Sequence, residues 1–178
     1  MEATTMLALG KISLGLIAGF GALGSALGVL AAGSAACGAW AKQGKEGKTL
    51  TGNFSMFVGM PVSQTLYCLI CWYMMDPYAA NPDNGPILFG IALGVGFAQF
   101  ISAYAQGKIG GAGIRCLVEN GGEGTGNIVL AMGIAESIAL FALVIGILIL
   151  KVGGTIVQPE TITAATEAVK AVAPAVGM

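Results

Sequence analysis

The sequence predicts an all-α membrane protein: four transmembrane helices as two tandem, parallel hairpins. Three observations carry that prediction. First, the 178 residues are 56% hydrophobic and 10% charged, against about 25% charged in an ordinary soluble domain. So few charges cannot build a polar surface, and lipid must cover much of the chain. Second, four apolar stretches each exceed the ~20 residues that cross a bilayer as a helix. Third, the breaks between them are short and rich in turn-forming residues.

The spans fall near 11–41, 53–76, 86–117 and 127–152. The breaks are 42–52 (KQGKEGKTLTG), 76–86 (DPYAANPDNGP) and 119–126 (ENGGEGTG). Residues 1–152 thus form one membrane domain, with hairpins at about 10–76 and 86–152, followed by a Thr/Ala/Val-rich tail, 153–178. The first span reads as retained rather than as a cleavable leader. Glu2 and Lys11 give no basic start, and the apolar run continues past Val29. This span is studded with glycine, and Gly24-x-x-x-Gly28 predicts close helix–helix contact. The third span repeats the pattern with Gly107, Gly110, Gly111 and Gly113. Both glycine-rich spans are longer than a membrane requires and are expected to project beyond it. Pro61 interrupts the second span, since proline supplies no backbone N–H and kinks a helix.

Basic residues set the expected orientation. Lys42, Lys45 and Lys48 lie in the first break and Arg115 just before the third, whereas 76–86 holds Asp76 and Asp83 and no base. The loops 42–52 and 119–126 are therefore expected in the cytoplasm, with both termini and 76–86 outside a multi-pass cell-membrane protein. Trp72, Tyr73 and Tyr78 would either stand in an outer aromatic belt, with Trp40 near the inner one, or simply pack against neighbouring helices. Each repeat holds two spans, so both hairpins cross with one orientation. That argues against the inverted repeats common among secondary transporters.

Several chemistries are excluded or left without support. Net charge is −1, so there is no footprint for nucleic acid. Histidine is absent, which removes the commonest general base and metal ligand. Cys68-x-x-Cys71 has no second ligand pair and reads as small apolar packing within a helix. GKEGKT at 44–49 lacks the leading glycine of a phosphate loop and lies between two spans, and IGGAG at 109–113 has no strand before it.

The chemistry concentrates on Glu136, well inside the fourth span. A carboxylate at mid-bilayer costs about 2.5 kcal/mol or more on insertion scales, and intramembrane acids usually mark an ion path. The second span offers partners: Met60, Ser63, Gln64 and Tyr67 recur at helical spacing along one face. Gln106 in the third span adds an amide oxygen. Gln64 and Glu136 occupy corresponding places in the two hairpins. An all-oxygen set disfavours zinc and copper and suits hard cations. One carboxylate neutralises one monovalent ion, so Na+ fits, and a bare proton fits as well. A small proton-coupled four-helix transporter is the competing function.

These residues resemble the proteolipid rotor component (the K or c subunit) of V-type and archaeal-type rotary ATPases, over about 10–152. The likeness rests on G-S-A-x-G at 24–28, M-P-V-S-Q-T-L-Y at 60–67, A-Q-G-K with A-G-I at 105–114, and A-E-S at 135–137. It is similar to the Na+-carrying version of that family. The resemblance implies a ring of identical copies, with the glycine-rich helices inside. It implies one Na+ per chain on the Met60 carbonyl, Ser63, Gln64, Gln106 and Glu136, with Tyr67 bonding to Glu136. It also implies a stator subunit bearing a basic residue, a central stalk at loops 42–52 and 119–126, and no ATP chemistry in this chain. Ser63 stands where a relative has threonine, and Met60 where one has leucine. The 42–52 loop is longer than the resemblance leads one to expect.

Overall fold

The computed structural model describes residues 2–152 together with 156 and 157; the rest of the predicted tail lies outside the described residues. Every regular element described is helical: α1 (Ala3–Lys45), α2 (Phe54–Gly59), α3 (Ser63–Met75), α4 (Gly85–Glu119) and α5 (Thr125–Val152). A single 3-10 turn, Met60–Val62, joins α2 to α3 at Pro61. Four helical stretches are long and apolar enough to span a membrane: Ala3–Lys45, Phe54–Tyr78, Pro82–Glu119 and Thr125–Lys151.

Two boundaries differ from the hydropathy reading. Helix α1 has 43 residues, or about 65 Å at 1.5 Å each, and begins eight residues before the predicted span. Its first turns are held by packing, since α4 starts at Gly85 directly against the Met6 backbone. The 76–86 break is partly ordered into two 3-10 turns, Asp76–Tyr78 and Pro82–Asn84. Tyr78, a candidate for the aromatic belt, is instead buried there, with Lys151 Nζ 5.5 Å from its ring centroid. Tyr73 does face outward, 72% exposed. Beside Tyr78, buried Asn84 donates to the carbonyls of Tyr78 (3.1 Å) and Val157 (2.8 Å) and accepts from the Val157 N–H. The chain just after α5 is thereby tied to the start of α4.

The first helices of the two hairpins end alike. Gly47 (φ +67°) and Gly121 (φ +67°) take the left-handed conformation. Lys48 N–H bonds back to Gln43 O (2.9 Å) and Gly122 N–H to Leu117 O (2.8 Å). This closure satisfies carbonyls that a helix end would orphan. The long 42–52 loop is folded back as well: Thr51 exchanges bonds with the Gln43 amide and accepts from the Trp40 indole N–H at 2.9 Å. An exposed Lys48–Glu46 pair at 2.8 Å holds the Glu46 carboxyl below its ordinary range.

Parallel helices α1 and α4 make the tightest seam. A Cβ on Gly24 would lie 2.6 Å from Phe100 Cα, and one on Gly111 2.9 Å from Ala31 O. A Cβ on Gly28 would strike Ala103 O, and one on Gly107 would strike the Gly28 backbone. Only glycine permits that approach. Around the seam lie two apolar cores, one toward the 76–86 end (Cys68, Met75, Leu88, Leu143) and one toward the 42–52 end (Phe54, Phe57, Ile114, Met132). Cys68 and Cys71 are both in the first, as packing residues. Many large apolar side chains point outward, including Leu23, Leu30, Leu130 and Phe141 at 59–69% exposure, where lipid or other copies cover them.

The seam gives a direct prediction. Gly107→Ala should lower the thermal unfolding midpoint in detergent, because forcing atoms into a closed contact costs about 1–3 kcal/mol. Gly44→Ala, at an open helical position, should be neutral or slightly stabilising. Equal midpoints for the two variants would contradict a close-packed seam.

Candidate functional site

Between the two apolar cores lies a polar layer built from three spans. The proline turn sets its first wall. The Ser63 N–H bonds to Met60 O at the end of the 3-10 turn, and the Ser63 hydroxyl donates to the same carbonyl (3.0 Å) and to Gln64 Oε1 (3.2 Å). Three oxygens from Met60, Ser63 and Gln64 thus converge where the helix changes pitch.

Gln64 is fully buried and reaches α4. Its amide N–H groups donate to Ser102 Oγ (3.2 Å) and Gln106 Oε1 (3.3 Å). Gln106, also fully buried, donates to Met132 O (3.3 Å) and Glu136 Oε2 (3.3 Å). The Tyr67 hydroxyl donates to the other carboxylate oxygen, Oε1, at 2.7 Å. Every amide N–H of Gln64 and Gln106 has an acceptor, which fixes where both amide oxygens point. Glu136 itself is half-buried in the single chain. All six residues singled out from the sequence are therefore joined in one hydrogen-bond network running from the proline turn through α3 and α4 to α5.

Two participants were not singled out. Ser102 donates to Ala135 O (2.7 Å), and Gln99 donates to Ala139 O (2.8 Å). Gln99, Ser102 and Gln106 form a ladder on α4 whose rungs are carbonyls of α5: Ala139, Ala135 and Met132. This ladder fixes the rotation of α5 and turns Glu136 toward α3 and α4. The signal was present as spacing: 99, 102 and 106 share one helix face, as 60, 63, 64 and 67 do.

Chemically, the arrangement suits an ionised acid. Both carboxylate oxygens receive donors, and charge-assisted bonds of this kind are the strong ones. The surrounding oxygens are hard and neutral, which suits a hard monovalent cation and offers no soft ligand for a transition metal. The corresponding place in the first hairpin holds Gln64, a neutral group, so among the described residues this layer carries one acid.

Fold and site together define a duplicated membrane hairpin with a polar, acid-bearing layer at its middle. The family model for the C subunit of ATP synthase matches the chain twice, at residues 12–75 and 89–149, once per hairpin. The chain belongs to that family. It is a multi-pass proteolipid of an ion-translocating rotor ring, a non-catalytic part of a rotary ATPase that works alongside identical copies. Comparison with individual curated proteins returns no match.

The network yields a contrast between two serines. Ser102→Ala removes a partner of buried Gln64 and a rung to Ala135, and should cost about 1–3 kcal/mol. Ser137, whose hydroxyl only bonds back to Ile134 O within its own helix at 2.8 Å, should tolerate alanine within ~0.5 kcal/mol. Unfolding midpoints of the two variants test this, and indistinguishable values would contradict the network's role.

Proposed function

We propose that this chain is the ion-carrying rotor (c or K) subunit of a V-type sodium-transporting ATPase or ATP synthase. In this reading each chain carries one Na+, held by the Glu136 carboxylate, the Gln64 and Gln106 amide oxygens, the Ser63 hydroxyl and the Met60 carbonyl. Tyr67 donates to Glu136 and keeps the loaded site closed. The observation that carries the reading is the set of neutral oxygens joined to Glu136 through one hydrogen-bond network: Met60 O, Ser63 Oγ, Gln64 Oε1 and Gln106 Oε1. A proton needs a single acceptor and leaves most of these oxygens idle, whereas a hard cation needs several. That favours Na+ over H+ as cargo.

The mechanism follows from charge. A loaded site is neutral and passes through lipid as the ring turns. An emptied site is an uncompensated carboxylate, which insertion scales penalise by roughly 2.5–3.5 kcal/mol. It is therefore confined to the interface with a stator subunit that presents a basic residue. Rotation driven by ATP then exports ions, and ion flow drives rotation the other way. One acid in two hairpins means one ion per duplicated chain, which lowers the ion-to-ATP ratio and suits pumping. The loops 42–52 and 119–126 face the cytoplasm and the central stalk in this arrangement, with the 76–86 loop outside.

Carbodiimide attacks protonated buried acids. At fixed pH it should label Glu136, and Na+ should protect. Labelling that is indifferent to high Na+ would favour H+ as the cargo. Glu136→Gln should abolish ion-coupled rotation while the ring still assembles; full ion transport by that variant would overturn the assignment. Tyr67→Phe removes one charge-assisted bond and should raise the half-protecting Na+ concentration by roughly tenfold or more. Wild-type protection in Tyr67→Phe would remove the latch from the account.

A further inference from the structure

Gln99 is the residue whose chemistry the ion cage leaves unused. It is fully buried. Its Nε2 donates to Ala139 O at 2.8 Å. Its Oε1 is the single buried side-chain oxygen or nitrogen among the described residues that has no hydrogen-bond partner. Turning the amide over does not help, because Oε1 would then face the Ala139 carbonyl, acceptor against acceptor. The orphan oxygen is thus fixed by the rung below it.

A native fold rarely leaves a buried amide oxygen without a donor. The neighbourhood decides what supplies it. One turn away toward the 76–86 end lie Val95 and Leu143, both in the apolar core. In the opposite direction lie Ser102 and, three residues before Ala139 on α5, Glu136. An ionised carboxylate has about four acceptor positions, and two of Glu136's are taken by Tyr67 and Gln106. Gln99 meets α5 at Ala139 and Ser102 meets it at Ala135, the two rungs that bracket Glu136, so both acceptors belong to the same stretch of the α4–α5 contact. One amide oxygen among apolar neighbours is too few ligands for a second cation. A water molecule, which donates twice, matches two acceptors.

We propose that Gln99 holds an ordered water that donates one O–H to its Oε1 and the other to the Glu136 carboxylate, and that Gln99 is thereby a positioning residue for the ion site. The role rests on the reading of Glu136 as the ion-carrying acid; the water itself does not depend on which ion is carried. Gln99 then acts at both ends: its nitrogen holds α5 in register at Ala139, and its oxygen, through water, holds the carboxylate against the cage.

The test has two arms. In the wild-type ring, a structure at water-resolving resolution should show one water within ~3 Å of both Gln99 Oε1 and a Glu136 oxygen. Absence of that density, or a water that touches Gln99 and not Glu136, would overturn the bridge. Gln99→Met keeps the length and flexibility of the side chain without a matching donor or acceptor. It should lose the water and raise the half-protecting Na+ concentration about threefold to tenfold, while Glu136 is still labelled by carbodiimide in the absence of Na+. An unchanged half-protecting concentration, or a parallel collapse of labelling and protection, would overturn the positioning role. A wild-type ring that Na+ fails to protect would instead sink the sodium reading and leave the water density to decide this one.

Discussion

A carboxylate set in the apolar middle of a helical bundle must be given donors, and here they come from two other spans. Tyr67 supplies one and Gln106 the other. Gln106 can donate to Glu136 only because its own oxygen is occupied by Gln64, and Gln64 in turn is anchored by Ser102. The donors must also arrive at the right height. The proline turn at Met60–Val62 and the ladder of Gln99, Ser102 and Gln106 onto α5 set that height. The glycine seam belongs to the same constraint. Backbones of α1 and α4 in direct contact at Gly28 and Gly107 draw α4 inward and leave its other face to meet α3 and α5.

The duplication explains the asymmetry of the site. Both hairpins share a glycine-rich first helix that closes with a left-handed glycine, and the same family model matches each of them. Yet an acid stands in one and an amide, Gln64, in the other. The amide does not idle: Gln64 donates to Ser102 and to Gln106, and Gln106 in turn donates to the acid of the second hairpin.

Much of this was legible in the sequence, because hydropathy reports burial in lipid directly. The spans, the breaks and the lone intramembrane acid needed only composition and length, and the 60–67 stripe needed only helical spacing. What stayed hidden had weaker signals. Ser102 and Gln99 sit in a Gly/Ala-rich helix, where a small polar residue reads as packing, and only contact with α5 carbonyls reveals their part. Hydropathy sees the membrane and not the helix, so it missed the extension of α1 to Ala3, which depends on Gly85 packing beside Met6. Tyr78 is buried rather than in a belt because Lys151 and the chain beyond α5, both distant from it in sequence, close over the 76–86 end.

Equilibrium binding of Na+ to the purified, detergent-solubilised ring tests the central claim most directly. The account predicts about one bound Na+ per chain at saturation and none in a ring built from Glu136→Gln chains. Two ions per chain, or binding that survives loss of the acid, would contradict it.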